Sequence, residues 1–193
     1  MKRLLEGEAY CLTGFGIKSI EHHFHLSDTV HIVLLAAHEL KDAETKKKIF
    51  ERASRYVAMR NVRTYDDAYL AVAEGYAREQ MYDDALRFVG HNNLDYRQQQ
   101  AFEMLIDAAF KTGSIDALKK IQNSAGINST NHVLISRRIA RLAYYAGDIE
   151  EAKRAIESAI TLTRNIRFPP CMIDIAEDLR FFRQPKQTKE VSQ

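Results

Sequence analysis

Between residues 64 and 163 one pattern is written three times, and its period constrains the fold more than any single residue does. The copies align on Ala85, Leu118 and Ala152, which stand 33 and 34 residues apart. A turn-like stretch precedes each anchor: Arg78-Glu79-Gln80-Met81, Lys111-Thr112-Gly113-Ser114 and Tyr145-Ala146-Gly147-Asp148. Apolar or small residues recur at matched offsets. Val72, Leu105 and Ile139 lie thirteen residues before the anchor, and Ala73, Ile106 and Ala140 twelve before. Tyr76, Ala109 and Ala143 lie nine before, while Val89, Gln122 and Ile156 come four after. Offsets that differ by three or four residues are helical. A fixed period of roughly 20–50 residues marks a stacked repeat, because one helix pair cannot bury its apolar face alone.

The rest of the chain fits an all-helical reading. Eight Gly and three Pro in 193 residues leave few helix breakers. Residues 3 to 12 read as a short helix with Leu4, Leu5, Ala9 and Leu12 on one side. Gly14-Phe15-Gly16 breaks it, and Ile17 to Phe24 forms a second. Ser27 and Asp28 suit the cap of a third, carrying Val30, Val33, Leu34, Ala37 and Leu40. After Lys41-Asp42 a longer helix runs from Ala43 to Met59, with Ile49, Phe50, Ala53, Tyr56 and Val57 inward. These four helices read as degenerate pairs over residues 1–63. Asn123 to Asn131 is polar and reads as an inter-repeat loop. Beyond Thr163 the pattern stops; Pro169-Pro170 opens a last helix, 170–182, with Ile175, Leu179 and Phe182 as its apolar stripe. An unpaired final helix caps the open end of a solenoid. Residues 184–193 are polar and are expected to be a disordered tail.

The chain resembles a tetratricopeptide-repeat protein, on the helix-pair length, the small residue in each first helix and the Ala that follows a Gly-Asp turn. Residues 133–163, with Gly147-Asp148-Ile149-Glu150-Glu151-Ala152, carry the resemblance best. In the other copies Gln80-Met81 replaces the Gly-Asp step and Leu118 replaces the Ala. The resemblance implies an all-α solenoid of antiparallel helix pairs, a right-handed superhelix spanning residues 1–183 as one domain. It also implies a concave groove lined by the first helix of each pair, holding a peptide or helix of a partner protein. Carried over by position, that groove receives Leu70, Glu74 and Arg78 from the first clear pair. The second gives Glu103, Asp107, Phe110 and Lys111; the third gives Arg137, Arg141, Tyr144 and Tyr145. Arg137 and Arg141 are one helical turn apart, so both guanidinium groups reach one face and suit a carboxylate of the partner.

Other chemistries find less support in the residues. There is no GxSxG, no glycine-rich phosphate loop and no nucleophile motif, so neither catalysis nor a cofactor is expected. Five of the seven histidines fall between His22 and His38. They lack a Cys partner or HExxH spacing, and the close ones point around a helix, so no metal is expected. Lys46-Lys47-Lys48 with Arg52, Arg55, Arg60 and Arg63 forms the most basic stretch. The alternative reading, a nucleic-acid-associated regulator, would use this helix, 46–63. Asp42, Glu44 and Glu51 interleave at helical spacing, however, which is how a solvated face is written. A net charge of +2 adds no general attraction for nucleic acid.

Cys11 and Cys171 form no CxxC, and Met1-Lys2-Arg3-Leu4-Leu5-Glu6 turns acidic before an apolar run develops. A reducing, cytoplasmic setting is expected, without a membrane span. The sequence thus predicts a non-catalytic adaptor or chaperone-like scaffold that binds another protein.

Overall fold

The structure, a computed structural model, describes residues 24–58, 66–90, 95–166 and 169–183. The helix expected over 3–12, most of the next one and the tail at 184–193 lie outside the described residues. Every regular element among those described is an α-helix. They are α1 (Phe24–His38), α2 (Ala43–Ala58), α3 (Asp66–Arg78), α4 (Tyr82–Gly90), α5 (Asp95–Lys111), α6 (Ile115–Gln122), α7 (Ser129–Ala146), α8 (Ile149–Ile166) and α9 (Pro169–Arg183). The chain divides into two compact units, Met1–Ala109 with Ser124–Gly126, and Phe110–Asn123 with Ile127–Gln193.

Each of the three turn stretches of the sequence period contains one left-handed residue. Gln80 after α3, Gly113 after α5 and Gly147 after α7 are left-handed, at φ 58°, 72° and 87°. Each donates its backbone N–H to the carbonyl three residues back, on Ala77, Phe110 and Tyr144. At the first and third turns the next residue donates five back, Met81 to Tyr76 and Asp148 to Ala143. Two otherwise orphaned carbonyls are satisfied this way. The residue after the left-handed one opens the second helix: Ser114 Oγ accepts from Ala117 N–H, and Asp148 Oδ1 from Glu151 N–H. The three anchors have a common backbone role, with Ala85, Leu118 and Ala152 donating to Met81, Ser114 and Asp148 at 2.9, 3.2 and 3.0 Å. All three are buried, as are the apolar residues nine, twelve and thirteen before them.

In the first unit α1 packs on α2 and α3, and α3 also packs on α2 and α4. Helix α1 begins at Phe24, so Ser27 and Asp28 fall inside it rather than capping it. Val30, Leu34 and Ala37 face the core together with Ile49, Phe50, Ala53 and Val57 of α2; Tyr56 is only half-buried. The Phe50 and Tyr76 rings lie 5.1 Å apart, and Tyr69 and Phe88 4.9 Å apart. Asp42 caps α2 through Glu44 N–H and Thr45 N–H.

In the second unit α7 packs most extensively on α8, with α6 against α7 and α9 against both. Val133, Ala140, Ile156, Ala159, Cys171 and Ile175 form one apolar cluster, with Leu162, Ile166 and Phe182 packed on it. Asn128 caps α7 by accepting from Asn131 N–H, which ends the expected loop three residues early. Helix α9 stands where the final helix was expected, but its inner stripe differs. Ile175 is buried and Phe182 packs inward, whereas Leu179 turns outward and Asp178 takes the enclosed place.

Candidate functional site

The residues expected to bind a partner are distributed over both units. Leu70, Glu74 and Arg78 lie on α3 and Glu103 and Asp107 on α5, all in the first unit. Leu70 is half-buried and Glu103 and Asp107 are exposed. Arg78 pairs with Glu74 one turn earlier at 3.5 Å. Both line a cavity of about 20 Å³ with His31, Leu35 and His38 of α1. Beside it, Glu79 accepts from Lys46 Nζ at 2.6 Å and from His38 Nδ1. Burial works to raise the Glu79 pKa, but the hydrogen bonds from Lys46 and His38 outweigh it, and the carboxyl titrates below its ordinary value. Lys46 is thus committed to Glu79, and Lys48 pairs with Glu44 at 3.2 Å, within the stretch on which the nucleic-acid reading depends. Arg60 and Arg63 lie outside the described residues. His22 and His23 do as well, and the described residues contain no group of three or more His, Cys, Asp or Glu placed to hold a metal.

The second unit brings the remaining residues together along α7. Phe110 lies under the guanidinium of Arg138 at 4.2 Å, and Lys111 is exposed. Arg137 and Arg141 project from one face, as their four-residue spacing requires. Both are engaged by the chain itself. Arg137 donates to Asp174 Oδ2 at 2.6 Å, to the Asp174 carbonyl at 3.1 Å, and through Nε to Asp178 Oδ2. Arg141 donates through Nε to Asp178 Oδ1. The fully buried Asp178 carboxylate therefore bridges two guanidinium groups. One turn further on, Tyr144 meets the rings of Phe182 and Phe181 at 5.0 and 5.6 Å, and Tyr145 meets Phe181 at 5.5 Å.

Four residues of α7 expected to receive a partner thus receive α9. Its carboxylates meet the arginines and its phenylalanines meet the tyrosines. Asp174, Asp178 and Phe181 were absent from the sequence reading, although one signal was available: the acids repeat at four residues, matching the arginines they contact. A cavity of about 80 Å³ remains on α7, lined by Leu134, Arg137, Arg138 and Arg141. Cys171 is buried at the start of α9, where burial first and the Asp174 carboxylate second push its thiol pKa up, away from thiolate chemistry. No described helix is long and apolar enough to cross a membrane. Comparison with protein-family models, curated proteins and solved structures finds no match to this chain.

Proposed function

We propose that the chain is a non-catalytic protein-interaction scaffold of tetratricopeptide-like helix pairs, and that α7 holds an acidic segment of a partner. One observation carries this reading. Beside Arg137 and Arg141, whose charges hold Asp174 and Asp178 of α9, lies a cavity bordered also by Arg138, and its chemistry favours a further carboxylate. The cavity beside them has three arginines and one leucine in its wall, and about 80 Å³ suits a carboxylate with its adjoining methylenes rather than a whole ligand. The left-handed residue that recurs after α3, α5 and α7 supports a repeat built of helix pairs. Exposed Tyr145 offers an apolar ring close to the same surface.

The test is capture of binding proteins from native lysate with wild type, Leu134→Trp, and a variant with Lys46, Lys47 and Lys48 all changed to Glu. Leu134 is half-buried in the cavity wall, so tryptophan fills the space without entering the core. Capture should be lost with Leu134→Trp and kept with the lysine variant. The reverse pattern, together with salt-sensitive binding of random duplex DNA, would replace this reading with the nucleic-acid one.

A further inference from the structure

Helix α9 presents aliphatic side chains to solvent as well as to the core. A helix that closes the end of a stack ordinarily turns a polar face outward. Here the inner side combines Cys171, Ile175 and Phe182 with the carboxylates Asp174 and Asp178, while the outer side exposes aliphatic residues among the charged Glu177, Arg180 and Arg183. Met172 is 59% exposed and Ile173 63%, and Ala176 and Leu179 continue the same face at helical spacing. Arg180 and Arg183, both exposed, extend that face toward the C-terminus of the helix. Large exposed aliphatic side chains grouped on one helix face, with cations at their border, mark an interaction surface rather than a solvated one.

By composition, residues 184–193 are a poor complement to this face. Gln184 to Gln193 contains one aliphatic residue, Val191. A second copy is a poor fit also, because antiparallel pairing of two α9 helices sets Met172 against Arg180 and leaves the arginines facing no acid but Glu177. The complement of this surface is a helix with an apolar stripe bordered by carboxylates. We propose that the outer face of α9 docks such an amphipathic, acidic helix of a partner protein. Met172, Ile173 and Leu179 seat its apolar residues, and Arg180 and Arg183 pair with its Asp or Glu. This rests on the scaffold reading and assigns it a second surface, on the side of α9 opposite α7.

The full chain tests it, titrated with two fluorescein-labelled amphipathic peptides of about three heptads that have the same leucine stripe. One has Glu at the borders of the stripe, the other Lys. The Glu peptide should bind at least tenfold more tightly than the Lys peptide. Ile173→Glu should weaken it at least tenfold, and changing both Arg180 and Arg183 to Glu should reverse the preference. Ile173→Ser, which removes the side chain without adding charge, provides the same comparison should the glutamate disturb the helix. The loss caused by Ile173→Glu should persist in a Leu134→Trp background, so the α7 reading can fail while this one stands. Absence of binding, equal binding of both peptides, or binding indifferent to Ile173 would overturn the proposal. So would a wild-type dimer in sedimentation equilibrium that Ile173→Glu dissociates, or co-sedimentation with phosphatidylserine vesicles in place of peptide binding.

Discussion

Asp178 and Arg137, 41 residues apart in the chain, form an ion pair whose carboxylate is wholly enclosed and whose guanidinium is 11% exposed. The pair ties α9 to α7 and decides what each charge does for stability. The enclosed Asp178 carboxylate has lost its hydration and is tolerable only while the arginines remain, whereas Arg137 has Asp174 as a second partner. Asp178→Ala should therefore lower urea-unfolding stability by about 1.5–3 kcal/mol, the worth of hydrogen bonds to a charged group, since Arg137 keeps its bonds to Asp174. Arg137→Glu with Arg141→Glu should be at least as harmful, because three carboxylates then crowd Asp178. Replacing both partners, Asp178→Leu with Arg137→Met, should lie closer to wild type than either single change. An Asp178→Ala protein that unfolds at the wild-type urea concentration would refute the enclosed pair.

The sequence made some of this legible and hid the rest for a physical reason. Positions such as Val72, Ala73, Leu105, Ile106, Ile139 and Ala140 recur at matched offsets, and all are buried. Period reports burial, since burial is what recurs. It does not report which polar side chain closes over another helix far along the chain. Arg137 and Arg141 read as solvent-facing groove residues because nothing within a turn of them is acidic; their carboxylates sit 37 and 41 residues away. For the same reason hydrophobicity alone predicts Leu179 inward, whereas the helix is rotated to put Asp178 there.

Gln80 occupies the left-handed position that Gly113 and Gly147 occupy in the other two turns. A side chain in that conformation costs roughly 1–2 kcal/mol, and glycine removes the cost at the expense of some extra freedom in the unfolded chain. Gln80→Gly should raise stability by up to about 1 kcal/mol, while Gly147→Ala should lower it by about 1 kcal/mol. Thermal melts of the two variants should move in opposite directions. Shifts of the same sign would mean that the turns are not equivalent.

Gly75 lies within α3, where alanine would ordinarily add about 1 kcal/mol of helix stability. A Cβ there would stand 2.7 Å from Phe50 Cε1 and 3.4 Å from Leu34 Cδ1. The Phe50 ring has little room to retreat, being fully buried and packed against Tyr76 at 5.1 Å. Overpacking of this kind costs roughly 1–3 kcal/mol and should outweigh the propensity gain. Gly75→Ala should lower the melting temperature, and adding Phe50→Leu should recover part of the loss. A higher melting temperature for Gly75→Ala alone would show that α1, α2 and α3 pack more loosely than this.

Glu79 ties α3 to the two preceding helices, accepting from Lys46 of α2 and His38 of α1. Its pKa is lowered in the folded state from the ordinary 4.5, with burial opposed and exceeded by those two hydrogen bonds. The folded protein therefore holds this proton less tightly than the unfolded chain does. Stability from Glu79 is fully present above the unfolded value and is lost as pH falls through the folded one. Glu79→Gln keeps the side-chain shape but cannot provide that charge. It should unfold at lower urea than wild type at pH 7, and the gap should narrow as the pH is taken below about 4.5 toward 3. Paired urea titrations at pH 7 and pH 3 measure it directly. A gap that widens on acidification would mean that the Lys46 and His38 bonds do not favour the ionised carboxylate.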